Sequence, residues 1–302
     1  MRTDIGDVVS RELRRQPGQL PCHLGMSQEH ARAAIRASCD NEKTSGRMMT
    51  TNFDMLSKYE AAVRGYDGDP CSSSLLMEQE GALSVYYSPF EWVNPGARVV
   101  LVGITPGRMQ AANALAEAKR NLQGGALSAE VLRRAKETGA FSGAMRPNLI
   151  ALLDNIGLSK WLGLNSAAEL FGSASGFLQT ASALQFPVFL NGENYSGAPD
   201  IARTPLLRRM LIEHFGEMAR KLPEAVFIPL GPVPTKAMTW LRSERHIPPG
   251  RTLEGLPHPS GANAERIAYF LGKKPKAALS TKTDPGKLDA ARESLRAAVA
   301  AL

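Results

Sequence analysis

Two short loops carry the residues of this chain that could do chemistry. The first reads Gly-Ile-Thr-Pro-Gly at residues 103–107, and the second reads His-Pro-Ser-Gly-Ala-Asn at residues 258–263. Each lies where a strand should run into a helix, so each should present free backbone N–H groups, which can hold phosphates and other anions. Together with the imidazole of His258, the loops predict a site built from hydrogen-bond donors.

The sequence around the loops predicts the elements that position them. Residues 98–102 form a β-branched apolar run, and a stretch rich in Ala, Leu, Glu and Lys follows the first loop, which indicates a strand, a tight loop and a helix. The second loop follows residues 253–256 and precedes a helical pattern over residues 264–271. Ser260 and Asn263 are the candidate caps of that helix.

Two further strand candidates lie between the loops. Residues 186–190 end at Asn191, and residues 225–230 lead through Gly-Pro into another helix. The alternation of apolar strands and helices predicts an α/β fold with a parallel sheet.

In this order, the two loops resemble the motifs of the uracil-DNA glycosylase superfamily, in which Gly-x-x-Pro is followed by Gly or Tyr and the second motif is His-Pro-Ser. The resemblance covers about residues 80–275. It implies a three-layer α/β sandwich with a central, mostly parallel four-stranded sheet flanked by helices. It also implies a monofunctional DNA glycosylase, which flips a base out of DNA and hydrolyses its N-glycosidic bond to leave an abasic site. Neither motif contains a lysine that could form a Schiff base.

The resemblance assigns catalytic and DNA-binding roles to the two loops. His258 would donate a hydrogen bond to the departing base, and Thr105 stands where superfamily members use Asp or Asn to hold the attacking water. A hydroxyl cannot act as a carboxylate base, so either orientation of the water suffices or another residue, with Glu193 the nearest candidate, is the base. The expected DNA contacts are Gly103, Pro106, Pro259, Ser260, Gly261, Asn263 and Arg266.

Three further residues are candidates for the base pocket. By resemblance, Asn191 would read the Watson–Crick edge of the base through its amide, although an Asn before Gly is also a common turn. Phe141 is the candidate for stacking on the base, with a core aromatic ahead of a helix as the alternative. Tyr87 is the one aromatic of residues 86–92 that we assign to the pocket.

Gly107 stands where strict uracil enzymes carry a Tyr that blocks substituents at C5 of the pyrimidine. The resemblance therefore favours a bulky C5-modified cytosine, such as the glucosylated hydroxymethylcytosine that similar bacterial defence enzymes remove from phage DNA. A uracil-DNA glycosylase of base-excision repair is one alternative, and a non-catalytic reader of modified bases is another. A nucleotide hydrolase is a weaker rival, because the Gly-x-x-x-x-Gly-Lys pattern is absent.

Ala262 replaces the leucine that superfamily members insert into the duplex. Either Arg266 or Asn263 would fill the gap, or the enzyme would prefer single-stranded or poorly stacked DNA.

Composition is compatible with DNA as the partner. The 302 residues carry 36 Lys and Arg against 29 Asp and Glu, a net charge of +7, which suits a protein that approaches a phosphate backbone. No apolar run is long enough to span a membrane. The cysteines, Cys22, Cys39 and Cys71, lack paired spacing and cannot supply the four ligands of an iron-sulfur cluster. We expect no metal, no cofactor and no membrane partner.

The chain divides into an N-terminal extension, residues 1–48, and a single glycosylase domain, residues 49–302. The extension is either dispensable or a small accessory helix, and it lacks the apolar segment of a secretory signal, so we expect a cytoplasmic protein. A helical insertion at about residues 110–139 would roof the pocket or decorate the surface. The amphipathic helix of residues 284–302 should pack on the core rather than form a dimer contact, so we expect a monomer.

Overall fold

The computed structural model describes residues 54–139, 145–247 and 251–302, which combine helices with one parallel and one antiparallel sheet. The predictions for residues 1–48 and for Phe141 lie outside the described residues. No helix in the described part of the chain is both long enough and apolar enough to cross a membrane.

The helices and strands are numbered separately in chain order. The helices are α1 (Asp54–Arg64), α2 (Arg108–Gln123), α3 (Ser128–Gly139), α4 (Met145–Asn155), α5 (Leu158–Leu162), α6 (Pro205–Met210), α7 (Glu217–Arg220), α8 (Pro232–Ser243), α9 (Ala264–Phe270) and α10 (Pro285–Ala300). The strands are β1 (Leu76–Glu80), β2 (Leu83–Tyr86), β3 (Val99–Gly103), β4 (Leu178–Ser182), β5 (Val188–Leu190), β6 (Glu193–Asn194) and β7 (Val226–Pro229). A π-helical stretch, Leu211–Gly216, joins α6 to α7.

The parallel sheet has the order β4-β3-β7 and holds the first loop at its carboxyl edge. Beyond β7, a single parallel bridge joins Phe227 to Thr252, where the Phe227 N–H donates to Arg251 O at 2.8 Å and the Leu253 N–H donates to Phe227 O at 2.8 Å. After this bridge, at the β7 edge of the sheet, the chain continues into the second loop.

Helices cover both faces of the parallel sheet, because the side chains of its strands alternate between two cores. Val100 and Val102 of β3 belong to a core that includes residues of α1, α2, α3 and α8. Val99 and Leu101 belong to a second core that includes residues of α4, α5, α9 and α10. With both faces buried, β3 is apolar at every position before Gly103, as is typical of a central parallel strand.

The described residues show the predicted parallel sheet only in part. The described residues contain three parallel strands and the bridge at Thr252, and the strand candidate at residues 186–190 joins the antiparallel sheet instead, as β5. The place expected for it is taken by β4, whose sequence Leu-Gln-Thr-Ala-Ser has no apolar run to predict a buried strand. Its buried Gln179 is satisfied by hydrogen bonds to the backbone at Trp92, Asn94 and Thr180.

The antiparallel sheet has the order β1-β2-β5-β6. Leu190 pairs with Glu193 across a two-residue turn at Asn191 and Gly192, whose φ angles are 52° and 79°. Positive φ at both central residues is the geometry of a type I′ hairpin turn, for which Asn-Gly is the favoured sequence. Asn191 is therefore a turn residue, which is the alternative that its sequence left open.

Two predicted helical segments pack into the cores. The predicted insertion consists of α2 and α3, an antiparallel pair that buries residues such as Ala114, Leu115 and Leu132. At the C-terminal end, α10 buries Leu295 and Val299 in the second core.

Candidate functional site

The first loop runs from the end of β3 to the start of α2 and is fastened on both sides. Thr105 Oγ1 donates to Phe186 O at 2.9 Å and accepts from the Val188 N–H at 3.1 Å, which joins the loop to the start of β5. The Gly107 N–H donates to Gln110 Oε1 at 3.0 Å. Since a hydroxyl has one proton, Thr105 has none left to donate and can contact a water only as an acceptor.

A hydrogen bond from the backbone of the second loop determines which ring nitrogen of His258 carries the proton. The Ser260 N–H donates to His258 Nδ1 at 3.2 Å, so the neutral imidazole carries its proton on Nε2. Burial lowers the pKa of His258 below its usual value of 6.5, which favours the neutral form at pH 7. The ring lies against Gly231, where a Cβ would be 3.4 Å from the His258 Cβ.

Hydrogen bonds also hold the rest of the second loop. Asn148 Nδ2 of α4 donates to Pro259 O at 3.0 Å. Asn263 Nδ2 donates to Ser260 Oγ at 3.2 Å, and Arg266 donates to Asn263 Oδ1 at 2.7 Å and to Lys282 O at 3.2 Å. Ser260 and Asn263 occupy helix-start positions, as predicted. However, neither side chain makes a capping hydrogen bond, and the two side chains bond to each other instead.

The two loops meet in one cavity of about 240 Å³. Residues of both loops line it, namely Gly103, Ile104, Thr105, Pro106, Gly107 and His258. The polar groups around them include the side chains of Gln110, Gln185 and Asn194. The cavity thus places a neutral histidine with a free Nε2–H beside the Gly-x-x-Pro-Gly loop.

Several predicted site residues lie elsewhere. Asn191 and Glu193 are exposed in the β5–β6 hairpin and do not line this cavity. Tyr87 is fully buried, stacks on Tyr59 with 4.6 Å between ring centroids, and donates to Glu91 Oε1 at 2.8 Å, so it belongs to the core.

The predicted DNA contacts of the second loop differ in accessibility. Gly261 and Arg266 are exposed, Ser260 and Asn263 are half-buried, and Pro259 is buried.

Asn194 is a lining residue that the sequence did not single out. Its Oδ1 accepts from the Arg108 N–H at 2.9 Å, and a Cβ on Gly107 would lie 3.7 Å from its amide atoms. Its side chain therefore lies beside Gly107. Only the tight turn at Asn191 and Gly192 brings β6 back to this place, and the sequence signal at Asn194 itself is no more than a polar residue in a short strand.

Lys136 of α3 is a second lining residue that the sequence did not indicate. It is buried, and its Nζ donates to Phe90 O at 2.9 Å and to Trp92 O at 2.6 Å. Burial lowers the pKa of Lys136 to about 7 and raises the pKa of the buried Glu91 to about 7, while the two opposite charges partly offset these shifts. Lys136 thereby fixes the backbone that carries Phe90 into the cavity wall.

One comparison with known proteins establishes a relationship. The chain is 36% identical over 235 residues to a Bacillus subtilis (strain 168) protein named "Uncharacterized protein YoxB", and the match covers 75% of this chain and 91% of the relative. The chain belongs to the YoxB family. No family model matches it, and no solved structure does.

Membership of the YoxB family brings no activity with it, so the chemistry follows from the residues of the cavity. Within residues 54–139, 145–247 and 251–302, no group of three or more His, Cys, Asp and Glu side chains could hold a metal ion. The groups that the cavity offers are an imidazole, carboxamides, hydroxyls and one amine.

Proposed function

We propose that this protein is a monofunctional DNA glycosylase, which binds a flipped pyrimidine in the cavity and hydrolyses its N-glycosidic bond. The observation that carries the proposal is the meeting of the Gly-x-x-Pro-Gly loop and His258 in one cavity. The order β4-β3-β7, extended by the bridge at Thr252, supports a sandwich of the uracil-DNA glycosylase type.

His258 is suited to stabilise the departing base. When the bond between C1′ and the base nitrogen breaks, the electron pair leaves with the base, and negative charge develops on the base oxygen. A fixed N–H donor in a half-buried site stabilises this charge. His258 supplies such a donor at Nε2, because its Nδ1 is held by the Ser260 N–H.

The water that attacks C1′ would receive orientation, not general-base catalysis, from the first loop. Thr105 can accept a hydrogen bond from this water through a remaining lone pair, but its own proton is given to Phe186 O. Bond breaking would therefore run well ahead of water attack, with a cationic sugar that the negative field of the DNA stabilises.

We assign Met109 to the space that the flipped base leaves, because it is exposed two residues after the first loop. The earlier candidates, Arg266 and Asn263, bond to each other. Met109 is 72% exposed in the first turn of α2, two residues after the cavity-lining Gly107. Apolar side chains of this kind enter base steps in proteins that deform DNA.

We favour a C5-modified cytosine, such as glucosylated hydroxymethylcytosine of phage DNA, as the substrate, with anti-phage defence as the role. The wall beside Gly107 is the amide of Asn194, which is polar and smaller than a tyrosine ring. Such a wall suits a polar C5 substituent. DNA as partner, a monomeric state and a cytoplasmic location belong to the same proposal.

A non-catalytic reader of modified bases is the second candidate. It is favoured by Thr105, whose hydroxyl proton is committed to the backbone and cannot activate water. A reader would bind the flipped base in the same cavity and release nothing.

Base release from defined oligonucleotides tests the proposal. Wild type, His258→Ala and the control His246→Ala would be incubated with DNA that contains uracil, hydroxymethylcytosine or glucosylated hydroxymethylcytosine, and free base and abasic sites would be measured by mass spectrometry. We expect release that is lost in His258→Ala and kept in His246→Ala, since His246 contacts Trp240 outside the cavity. Release of uracil alone would indicate a repair enzyme, and binding without release would indicate a reader.

A further inference from the structure

A second cavity adjoins the candidate site. It measures about 360 Å³ and lies between α3, β4 and the segment that follows α5. Lys136 and Thr180 line both cavities, so the two spaces are neighbours on either side of these side chains. Lys136 is held there by its bonds to Phe90 O and Trp92 O.

The lining of the second cavity combines aromatic surface with paired polar groups. Trp92 and Phe171 supply the aromatic surface, and the guanidinium of Arg146 lies 4.9 Å from the centre of the Phe171 ring. Arg133 and Glu137 also line the cavity and bond to each other at 2.8 and 2.9 Å.

The positive charge of Arg133 is balanced by two carboxylates, and this balance affects which ligand the second cavity can bind. Its guanidinium bonds to Glu137 and also to both oxygens of Glu130, at 2.7 and 2.9 Å. A basic group that already has two carboxylate partners binds a free anion only weakly. Donors and acceptors side by side, next to aromatic surface, suit a neutral group with several hydroxyls.

The small size of the first cavity also favours a ligand that extends into the second cavity. Pockets for drug-sized molecules measure roughly 300 to 1,000 Å³, and the first cavity, at about 240 Å³, is smaller. A base with a bulky substituent needs further space, and the second cavity offers it beside Thr180.

We propose that the second cavity binds a hydroxyl-rich substituent, of the size of a hexose, on the base that occupies the first cavity. This inference rests on the proposed function and names the part of the protein that would make it selective. Arg133 and Glu137 would bind hydroxyls of the substituent, and the adjoining aromatic rings would cover its apolar face.

The neighbours Arg133 and Arg134 provide a matched test. Both are on α3 and both pair with Glu130, but only Arg133 lines the second cavity. Arg133→Gln, Glu137→Gln and the control Arg134→Gln would be compared with wild type on duplexes containing hydroxymethylcytosine or its glucosylated form. Single-turnover base release and oligonucleotide affinity by fluorescence anisotropy would both be measured.

We expect Arg133→Gln to lower release and affinity about tenfold for glucosylated DNA, as befits the loss of one hydrogen bond to a charged group. Glu137→Gln should lower both in the same direction. Values for hydroxymethylcytosine should stay unchanged in both variants, and Arg134→Gln should match wild type on both substrates.

Equal effects of Arg133→Gln on the two substrates, or no effect on either, would overturn the inference while leaving glycosylase activity in place. Absence of release by wild type would instead refute the proposed function. In that case affinity decides the inference: tighter binding of glucosylated than of hydroxymethylated DNA, lost in Arg133→Gln, supports it, and equal binding of the two by wild type overturns it.

Discussion

The protonation of His258 depends on one hydrogen bond and on burial. Protonation of Nδ1 would place two donors, this nitrogen and the Ser260 N–H, against each other. Burial lowers the pKa of His258, so the imidazole should take up a proton only below its usual value of 6.5. The neutral ring, on which the proposed base release depends, therefore predominates at neutral pH. As the pH falls, protonation of Nδ1 would push the ring away from the Ser260 N–H and displace the Nε2–H donor.

We predict a pH profile for base release with a single acidic limb. Single-turnover rates should fall below about pH 6.5, and titration of Lys136 and Glu91 near pH 7 should leave them unchanged, because Lys136 Nζ bonds to the Phe90 and Trp92 carbonyls and not to the base. His258→Gln keeps an N–H donor but cannot titrate, so its lower rate should be independent of pH in this acidic range. An acidic limb that persists in His258→Gln would assign the titration to another group.

The exposure of Met109 leads to a prediction for duplex substrates. Met109→Ala should reduce release from duplex DNA about tenfold, because unstacking a base step costs a few kcal/mol that an inserted side chain offsets. Release from single-stranded DNA should not change, since no stack has to be broken.

Leu127→Ala is the control for Met109→Ala. Leu127 is 80% exposed in the turn between α2 and α3, at the other end of α2 from the cavity. Equal losses on single-stranded and duplex DNA in Met109→Ala would argue against insertion.

Among the elements, α3 is tied to the segment before β3 by one buried lysine. Lys136→Met would leave the Phe90 carbonyl without its donor, would leave the Trp92 carbonyl with only the Gln179 amide as donor, and would remove the charge that faces Glu91. We predict a loss of about 2 to 4 kcal/mol in the free energy of unfolding, measured by urea denaturation. Lys119→Met is the control, because Lys119 bonds to a single carbonyl, that of Tyr66, in a partly buried place, and should lose less.

The loss in Lys136→Met should depend on pH. Burial raises the pKa of Glu91 to about 7, so Glu91 lowers stability as the pH rises from its usual 4.5 through 7, and Lys136 offsets part of this cost. The loss should therefore be larger at about pH 8 than at about pH 5. Adding Glu91→Gln should reduce this pH dependence but keep the part that Lys136 causes itself, because burial lowers the pKa of Lys136 from 10.5 to about 7 and the buried lysine destabilises the fold less as the pH rises through 7. A pH dependence that Glu91→Gln leaves unchanged would mean that Glu91 and Lys136 do not interact.

The elements also differ in how far the sequence predicts them. β3 and β7 are apolar along their length because they are buried on both faces, and the helices on either side show periodic apolar residues, so these parts follow from the sequence. β4 does not, because its sequence has no apolar run: Leu178 is buried in the second core, but the buried position after it is Gln179, whose amide bonds to the backbone.

The residues of the candidate site could likewise be predicted from the sequence only in part. The loop residues Gly107 and His258 could be selected from their motifs and lie in one cavity. Asn194 and Lys136 could not, since their places depend on a hairpin turn and on a helix whose packing the local sequence does not encode. Asn191, which the motif also selected, lies in the turn that brings Asn194 to the cavity and does not line the cavity itself.

For the whole molecule, the net charge of +7 predicts salt-dependent DNA binding, and the second loop should account for part of it. Each phosphate that the protein neutralises contributes about −0.9 to the slope of log affinity against log salt concentration. Arg266 is exposed and uses two of its five donors within the protein, which leaves others for a phosphate.

Arg266→Gln should therefore reduce the slope by about 0.9 and weaken all duplexes alike, whatever base they contain. His258→Ala should keep the wild-type slope, since His258 would contact the base, and Arg209→Gln should keep it too, because Arg209 is paired with Glu78 and belongs to neither loop. Affinities measured by anisotropy at several salt concentrations separate these cases. A slope that Arg266→Gln leaves unchanged would mean that the second loop does not contact a phosphate through Arg266, and that the basic charge acts from another face.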